Sequence, residues 1–195
     1  MSRTIYVLRH GQTQFNAEQR LQGHCNSDLT ELGLQQANAM ANTLSGLIAD
    51  PKDWAIYSSP LGRAQQTAHI ICEHLQLPAD HIQLDKRLME VGLGEWEQLR
   101  APDLQLKFPH ISQAVLDWYL QAPKAERFVD AKQRLNNWLQ DPKLPQQVIV
   151  IGHGLSGAIL RGLYAGLEYH EIWQQSIPQN AFFKLHHGQV TRITC

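Results

Sequence analysis

Two stretches far apart in this 195-residue chain share one design. Thr4–Ile5–Tyr6–Val7–Leu8 runs into Arg9-His10-Gly11, and Gln147–Val148–Ile149–Val150–Ile151 runs into Gly152-His153-Gly154. A short apolar run closed by a turn signal reads as a strand buried on both faces. Ligand sites of open α/β sheets form just outside the carboxyl ends of such strands. Two strands ending alike therefore deliver two imidazoles and a guanidinium to one edge.

Length and composition set the frame. With 43% hydrophobic residues the chain can bury the core of a single domain, 1–195. A formal charge of −1 and a pI near 6.8 create no general field for nucleic acid or an acidic membrane. Anion affinity must come from a few placed cations. Cys25, Cys72 and Cys195 are an odd set without disulfide or zinc spacing, which fits reduced thiols. The first residues enter a strand directly and no apolar run is long enough to span a bilayer, so a cytoplasmic location is expected.

Strands and helices alternate along the chain. After Thr4–Leu8 comes a long polar loop, 11–28, and then a helix from Thr30 to Leu47, with Leu34, Ala37, Ala41, Leu44 and Ile48 at helical spacing. Residues 54–59 form a second strand stopped by Pro60, and 61–75 a second helix facing inward through Ala64, Ala68, Ile71 and Leu75. Ile82–Leu84 is a short strand. From Gly92 to about Asp141 tryptophans, isolated prolines and short amphipathic stretches replace strand patterning, which reads as a helical insertion or cap over the sheet edge. A strand at 148–151, a helix at 154–165 and a hairpin turning at Gly188 complete the chain. The alternation argues an α/β fold with a mostly parallel sheet.

Chemistry concentrates at the strand ends. A lone Arg-His-Gly tripeptide is commonly a core histidine beside a surface arginine, because short motifs match by accident. Its partial repetition at His153, before a helix whose N-terminus suits an anion, weakens that explanation. Arg63 falls in the first turn of a helix, where a cation opposes the dipole; it makes sense there if it meets an anion. Glu90, alone, is an ordinary surface carboxylate. Beside a phosphate dianion and this cluster of cations it could carry a proton at neutral pH.

These residues stand inside longer blocks. Arg9-His10-Gly11-Gln12-Thr13 with Asn16, Leu21-Gln22-Gly23 and Leu29-Thr30 resembles the first block of the histidine phosphatase superfamily, the phosphoglycerate mutase-like proteins. Tyr57 to Ala68, Leu88-Met89-Glu90 with Gly94-Glu95-Trp96-Glu97, Val150 to Gly154, and Pro178-Gln179-Asn180 resemble its later blocks, in order. The resemblance implies a three-layer α/β/α sandwich with a short helical cap at about 92–141. It implies that His10 is a nucleophile forming phosphohistidine, that Arg9, Arg63 and His153 cradle the phosphoryl group, and that Glu90 donates a proton to the leaving group. Asn16 would contact phosphate or substrate, Gln22 and Gly23 would line the entrance, and Gly154 would lie at the phosphate. The partner implied is a small phosphorylated metabolite; no cofactor or metal is called for. A backbone carbonyl, that of Gly11, is expected to fix the His10 tautomer, and the guanidinium charges to keep the ring neutral.

Departures fall at Asn26-Ser27-Asp28, where a proline is common, at Gln98, where glycine is usual, and at Ala125-Glu126-Arg127, with Arg134 beyond. They bear on the substrate. The histidines at 69, 74, 81, 186 and 187 read as surface groups, Trp96, Trp118, Trp138 and Trp173 as packing, with Trp118 or Tyr119 a candidate for the entrance. A phosphatase is expected, with α-ribazole phosphatases among the similar types. A phosphoglycerate mutase shares the pocket, although such mutases have larger caps. A non-catalytic phospho-ligand module would be expected to lack one of Arg9, His10, Arg63, Glu90 and His153. The oligomeric state stays open.

Overall fold

The computed structural model describes residues 3–111, 114 and 116–195. Its elements in chain order begin with β1 (Thr4–Arg9), α1 (Gln14–Ala17), α2 (Glu31–Leu47), β2 (Ala55–Ser58), α3 (Gly62–His74) and β3 (Ile82–Leu84). There follow α4 (Ala101–Lys107), α5 (Phe128–Leu139), β4 (Gln147–Gly152), α6 (Gly154–Ala165), α7 (Tyr169–Trp173), β5 (Ala181–His186) and β6 (Gln189–Thr194). The strands make one sheet in the order β3-β2-β4-β1-β5-β6. The pairs β3/β2, β2/β4 and β4/β1 are parallel, and β5 and β6 add an antiparallel edge.

Side-chain alternation along the strands builds two cores. Ile5 and Val7 of β1, with Val148 and Val150 of β4, pack under α5, α6 and α7. Tyr6 and Leu8, with Ile149 and Ile151, pack under α2 and α3. A strand buried on both faces needs apolar residues at successive positions, which explains the unbroken apolar runs. Each fully buried Ile or Leu contributes about 1.5–3 kcal/mol of burial free energy. Helices on both faces complete the expected three layers.

Register places the site. β1 and β4 pair from Thr4↔Gln147 to Arg9↔Gly152, and β2 pairs with β4 up to Ser58↔Ile151. Three strands therefore stop at one level, handing His10, Ser59 and His153 to one edge.

Local details differ from the pattern reading in two places. Leu34 is partly exposed, and the buried face of α2 is Gly33, Ala37, Met40, Ala41 and Leu44. Thr30 caps that helix as its place before Glu31 suggests, accepting from Gly33 N–H, and of the expected inward positions Ala37, Ala41, Leu44 and Ile48 are buried, with Leu34 the exception. The 11–28 loop also contains α1, a single turn closed by a capping box between Thr13 and Asn16. Among the described residues no helix is long and apolar enough to cross a membrane.

Candidate active site

The strand ends surround a cleft of about 460 Å³. Arg9, His10, Asn16, Gln22, Gly23, Arg63, Glu90 and Gly154 all line it. His153 stands behind them, its ring centroid 5.2 Å from that of His10. All nine residues singled out in the sequence thus meet at one place, although they span the chain from β1 to α6.

Donor and acceptor logic fixes the state of His10. Its Nδ1 lies 2.7 Å from the Gly11 carbonyl, and its Nε2 lies 3.1 Å from Arg63 Nε. A guanidinium N–H can only donate, so Nε2 must accept and the ring proton sits on Nδ1, donated to Gly11 O. The Nε2 lone pair accepts from Arg63 Nε–H, and both residues line the cleft. Burial holds the His10 pKa well below its ordinary value, and the charges of Arg63 and Arg9 push the same way. The expectation from sequence named only the arginines; burial is the larger cause.

Gly11 acts differently from the flexible turn that its position suggests. A Cβ on it would fall 2.2 Å from the Gly33 carbonyl oxygen. The N-terminal turn of α2 and the His10-Gly11 backbone touch, and only glycine at both positions permits it. Gly23 has φ +52°, and its carbonyl accepts from Arg63 Nη2 at 2.8 Å. Arg63 Nη1 donates to the Cys25 carbonyl at 2.7 Å. Burial pushes the Arg63 guanidinium down to about 10, which leaves it charged at neutral pH.

The N-terminus of α6, read from sequence as open to an anion, is occupied by Glu90. Oε1 accepts from Ser156 N–H at 2.8 Å and Val91 N–H at 2.9 Å, and Oε2 accepts from Leu155 N–H at 3.1 Å. Glu90 thus caps a helix far from it in sequence. Arg9 Nη1 donates to the Ile177 carbonyl. Among the described residues Arg9 Nε and His153 Nδ1 are buried without a hydrogen-bond partner. A buried donor left unmet costs about 1–3 kcal/mol.

The sequence and the fold recur in known proteins. The sequence model of the histidine phosphatase superfamily (branch 1) matches residues 5–191. The chain belongs to the histidine phosphatase superfamily, branch 1. An adenosylcobalamin/alpha-ribazole phosphatase of Escherichia coli is 28% identical over 183 residues, covering 91% of this chain and 87% of its own. The Escherichia coli protein named "Probable phosphoglycerate mutase GpmB" is 32% identical over 168 residues, covering 84% and 75%. The solved mycobacterial glucosyl-3-phosphoglycerate phosphatase complexed with VO3 superposes with a TM-score of 0.76 at 27% identity, covering 99% and 97%.

Several residues of this histidine phosphatase pocket escaped the sequence reading of roles. Ser59 Oγ lies 2.7 Å from His153 Nε2, and Gln179 Nε2 donates to Asn16 Oδ1 at 3.2 Å. Both stand in the quoted blocks, so the signal was present without its partner. Arg134 donates to the carbonyls of Arg87, Met89 and Glu90, and pairs with Glu126 at 2.6 Å. The Glu126/Arg134 pair therefore supports the Glu90 loop, whereas the sequence assigned it to the cap alone. Gln98 has φ +68°, which explains why glycine suits that position. Tyr119 lines the cleft, whereas Trp118 is buried against Trp96.

Proposed function

We propose that this histidine phosphatase hydrolyses a small phosphomonoester, without a metal, through a phosphohistidine on His10. The single observation that carries the reading is the His10 tautomer, with a neutral, buried Nε2 lone pair held beside Arg63. In the first step Nε2 attacks phosphorus, the bond to the leaving oxygen breaks, and Glu90 delivers a proton to that oxygen. In the second, water attacks the phosphohistidine, Glu90 takes its proton, and His10 leaves with its lone pair restored. Oε2 of Glu90 has one N–H donor where Oε1 has two, so Oε2 is the oxygen suited to hold the proton.

Arg9 and Arg63 supply the positive charge that the transferring phosphoryl oxygens require, in fixed fork geometry. His153 completes the cradle. Ser59 Oγ, which accepts from Leu61 N–H, offers its own proton to His153 Nε2 and leaves Nδ1–H for a phosphoryl oxygen. Asn16 contacts the phosphate or the substrate through its amide nitrogen, which has no partner among the described residues, and Gln22, Gly23 and Gly154 shape the mouth and floor. The segment at about 92–141 is the cap, and its shortness lets water reach the intermediate. Three unpaired thiols suit a reducing cytoplasm.

The relative named as a mutase supports a second reading, phosphoglycerate interconversion on the same pocket. The deciding experiment is hydrolysis of p-nitrophenyl phosphate by the wild type and His10→Ala, with chelator present. The expected outcome is chelator-resistant turnover that the substitution abolishes. Interconversion of phosphoglycerates without hydrolysis would replace the phosphatase reading with the mutase one.

A further inference from the structure

Arg161, on α6, is a buried cation with no part in the phosphoryl cradle. It is 4% exposed, and burial brings its guanidinium down to about 10, so it stays charged at neutral pH. Among the described residues no carboxylate pairs with it. A buried charge stands against a large desolvation cost, so the acceptors that hold it matter. Nε donates to Gln175 Oε1 at 3.1 Å and Nη2 donates to the Ser176 carbonyl at 2.8 Å. The guanidinium carbon lies 3.9 Å from the centre of the Phe183 ring.

Both acceptors belong to the segment 174–180, which links α7 to β5. The next carbonyl along, that of Ile177, accepts from Arg9 Nη1. Consecutive carbonyls of one strap are thus held by two guanidiniums, one from α6 and one from the end of β1. Gln175 ties the strap to α6. Its Nε2 donates to the Ala158 carbonyl at 2.8 Å and to the Ile172 carbonyl at 3.1 Å, which leaves its oxygen for Arg161. The close approach of α7 depends on Gly162, where a Cβ would lie 2.4 Å from Ile172 Cγ1. Arg9, His153, Arg161, Ile177 and Phe183 line one small hollow of about 230 Å³, which adjoins the cleft at Arg9 and Ile177.

We infer that Arg161 is a positioning residue for phosphoryl transfer: it fixes the 175–177 strap and, through the Ile177 carbonyl, the orientation in which Arg9 meets the phosphoryl group. The inference rests on the phosphatase reading, which gives Arg9 that task. A guanidinium is a rigid plane, so a bond on one nitrogen sets the direction of the others. In Arg9, Nη1 is spent on the strap, while Nε has no partner among the described residues. A shift of Ile177 turns that donor out of line, and misplacement by about 1 Å can cost about a hundredfold in rate. The same rigidity explains why residue 161 is arginine. Two adjacent corners of one plane reach Gln175 and Ser176 together, which a lysine ammonium cannot reproduce.

The test is a double-mutant cycle between Arg161→Met and Arg9→Met, with p-nitrophenyl phosphate as substrate and vanadate as the bound anion. Alone, Arg161→Met is expected to lower kcat by about tenfold or more, to change KM by less than about threefold, and to raise the vanadate Kd about tenfold. In the Arg9→Met background it is expected to change the vanadate Kd by less than about twofold, because the link it works through is gone. Arg161→Lys, with a donor for Ser176 but no fork, is expected to fall between wild type and Arg161→Met, and it carries the same cycle where Arg161→Met does not fold. Losses that multiply in the double variant, full recovery in Arg161→Lys, or a lowered Tm with kcat and vanadate Kd unchanged overturns the positioning role alone. Wild-type protein that turns over no phosphomonoester overturns the phosphatase reading and the inference with it.

Discussion

At the scale of single residues, the pocket works by keeping two imidazoles uncharged among guanidinium groups. Burial, Arg63 and Arg9 lower His10, and the same forces with His10 itself lower His153. Both rings stay neutral when folded but take protons when unfolded, below the ordinary histidine value of about 6.5. Their contribution to stability is therefore intact above that pH and is lost as pH falls below it, by about 1.4 kcal/mol per pH unit for each ring. Denaturant midpoints between neutral and mildly acidic pH should show this slope, and a His10→Gln/His153→Gln double variant should flatten it. By the same reasoning the acid limb of kcat/KM should lack an inflection near 6.5 assigned to His10. Gly23→Ala is the sharpest steric test. At φ +52° its Cβ would lie 2.1 Å from Glu97 Oε1 and 2.8 Å from Leu93 N, and backbone cannot yield as a side chain can. A loss of about 3 kcal/mol in denaturant unfolding is expected, from left-handed strain of about 1–2 kcal/mol plus the displaced Glu97 contacts.

At the scale of elements, helix ends are capped by distant side chains. Asn26 Oδ1 accepts from Gly62 N–H at the start of α3, and Glu90 does the equivalent for α6. Each cap also positions something chemical, Arg63 in the first case and Glu90 itself in the second. Arg134 on α5 holds the Glu90 loop by three carbonyls, so Arg134→Met should cost about 3 kcal/mol by leaving Glu126 unpaired. It should also lower kcat more than it raises KM, and Arg134→Lys should not rescue it, because the fork is lost. Steady-state kinetics beside denaturant unfolding would read both effects. These caps mark the limit of what sequence discloses. Apolar runs, Gly188 in the hairpin turn and the helix start at Thr30 are local signals, and strands and helices were legible from them. The bond from Leu155 to Glu90 bridges 65 positions and that from His153 to Ser59 bridges 94. No local period encodes such partners. The nine pocket residues were singled out because they sit in ordered blocks, whereas the partners of Gln179 and Arg134, Asn16 for the one and Glu126 with three backbone carbonyls for the other, carry no local signal.

At the scale of the whole molecule, the sheet turns sequence distance into proximity: β1, β2 and β4 end level, and α2, α3 and α6 return from that edge. In the pocket so formed Arg9 Nε and His153 Nδ1 are buried without a partner among the described residues, and in the proposed mechanism they meet the phosphoryl oxygens. Binding energy there is also folding energy. Inorganic phosphate or vanadate at about a hundred times its Kd should stabilise the fold by about 2.7 kcal/mol, and Arg63→Met should abolish the gain at the same concentration. Thermal unfolding with and without the anion is the check. The central claim concerns a covalent bond on one nitrogen, and rapid quenching tests it most directly. Enzyme mixed with a phosphomonoester, quenched in base within the first turnovers and digested, should yield a peptide carrying one acid-labile phosphoryl group on His10, absent from His10→Ala. Turnover that proceeds with no phosphoryl group on His10, or with the group on another residue, would contradict the account.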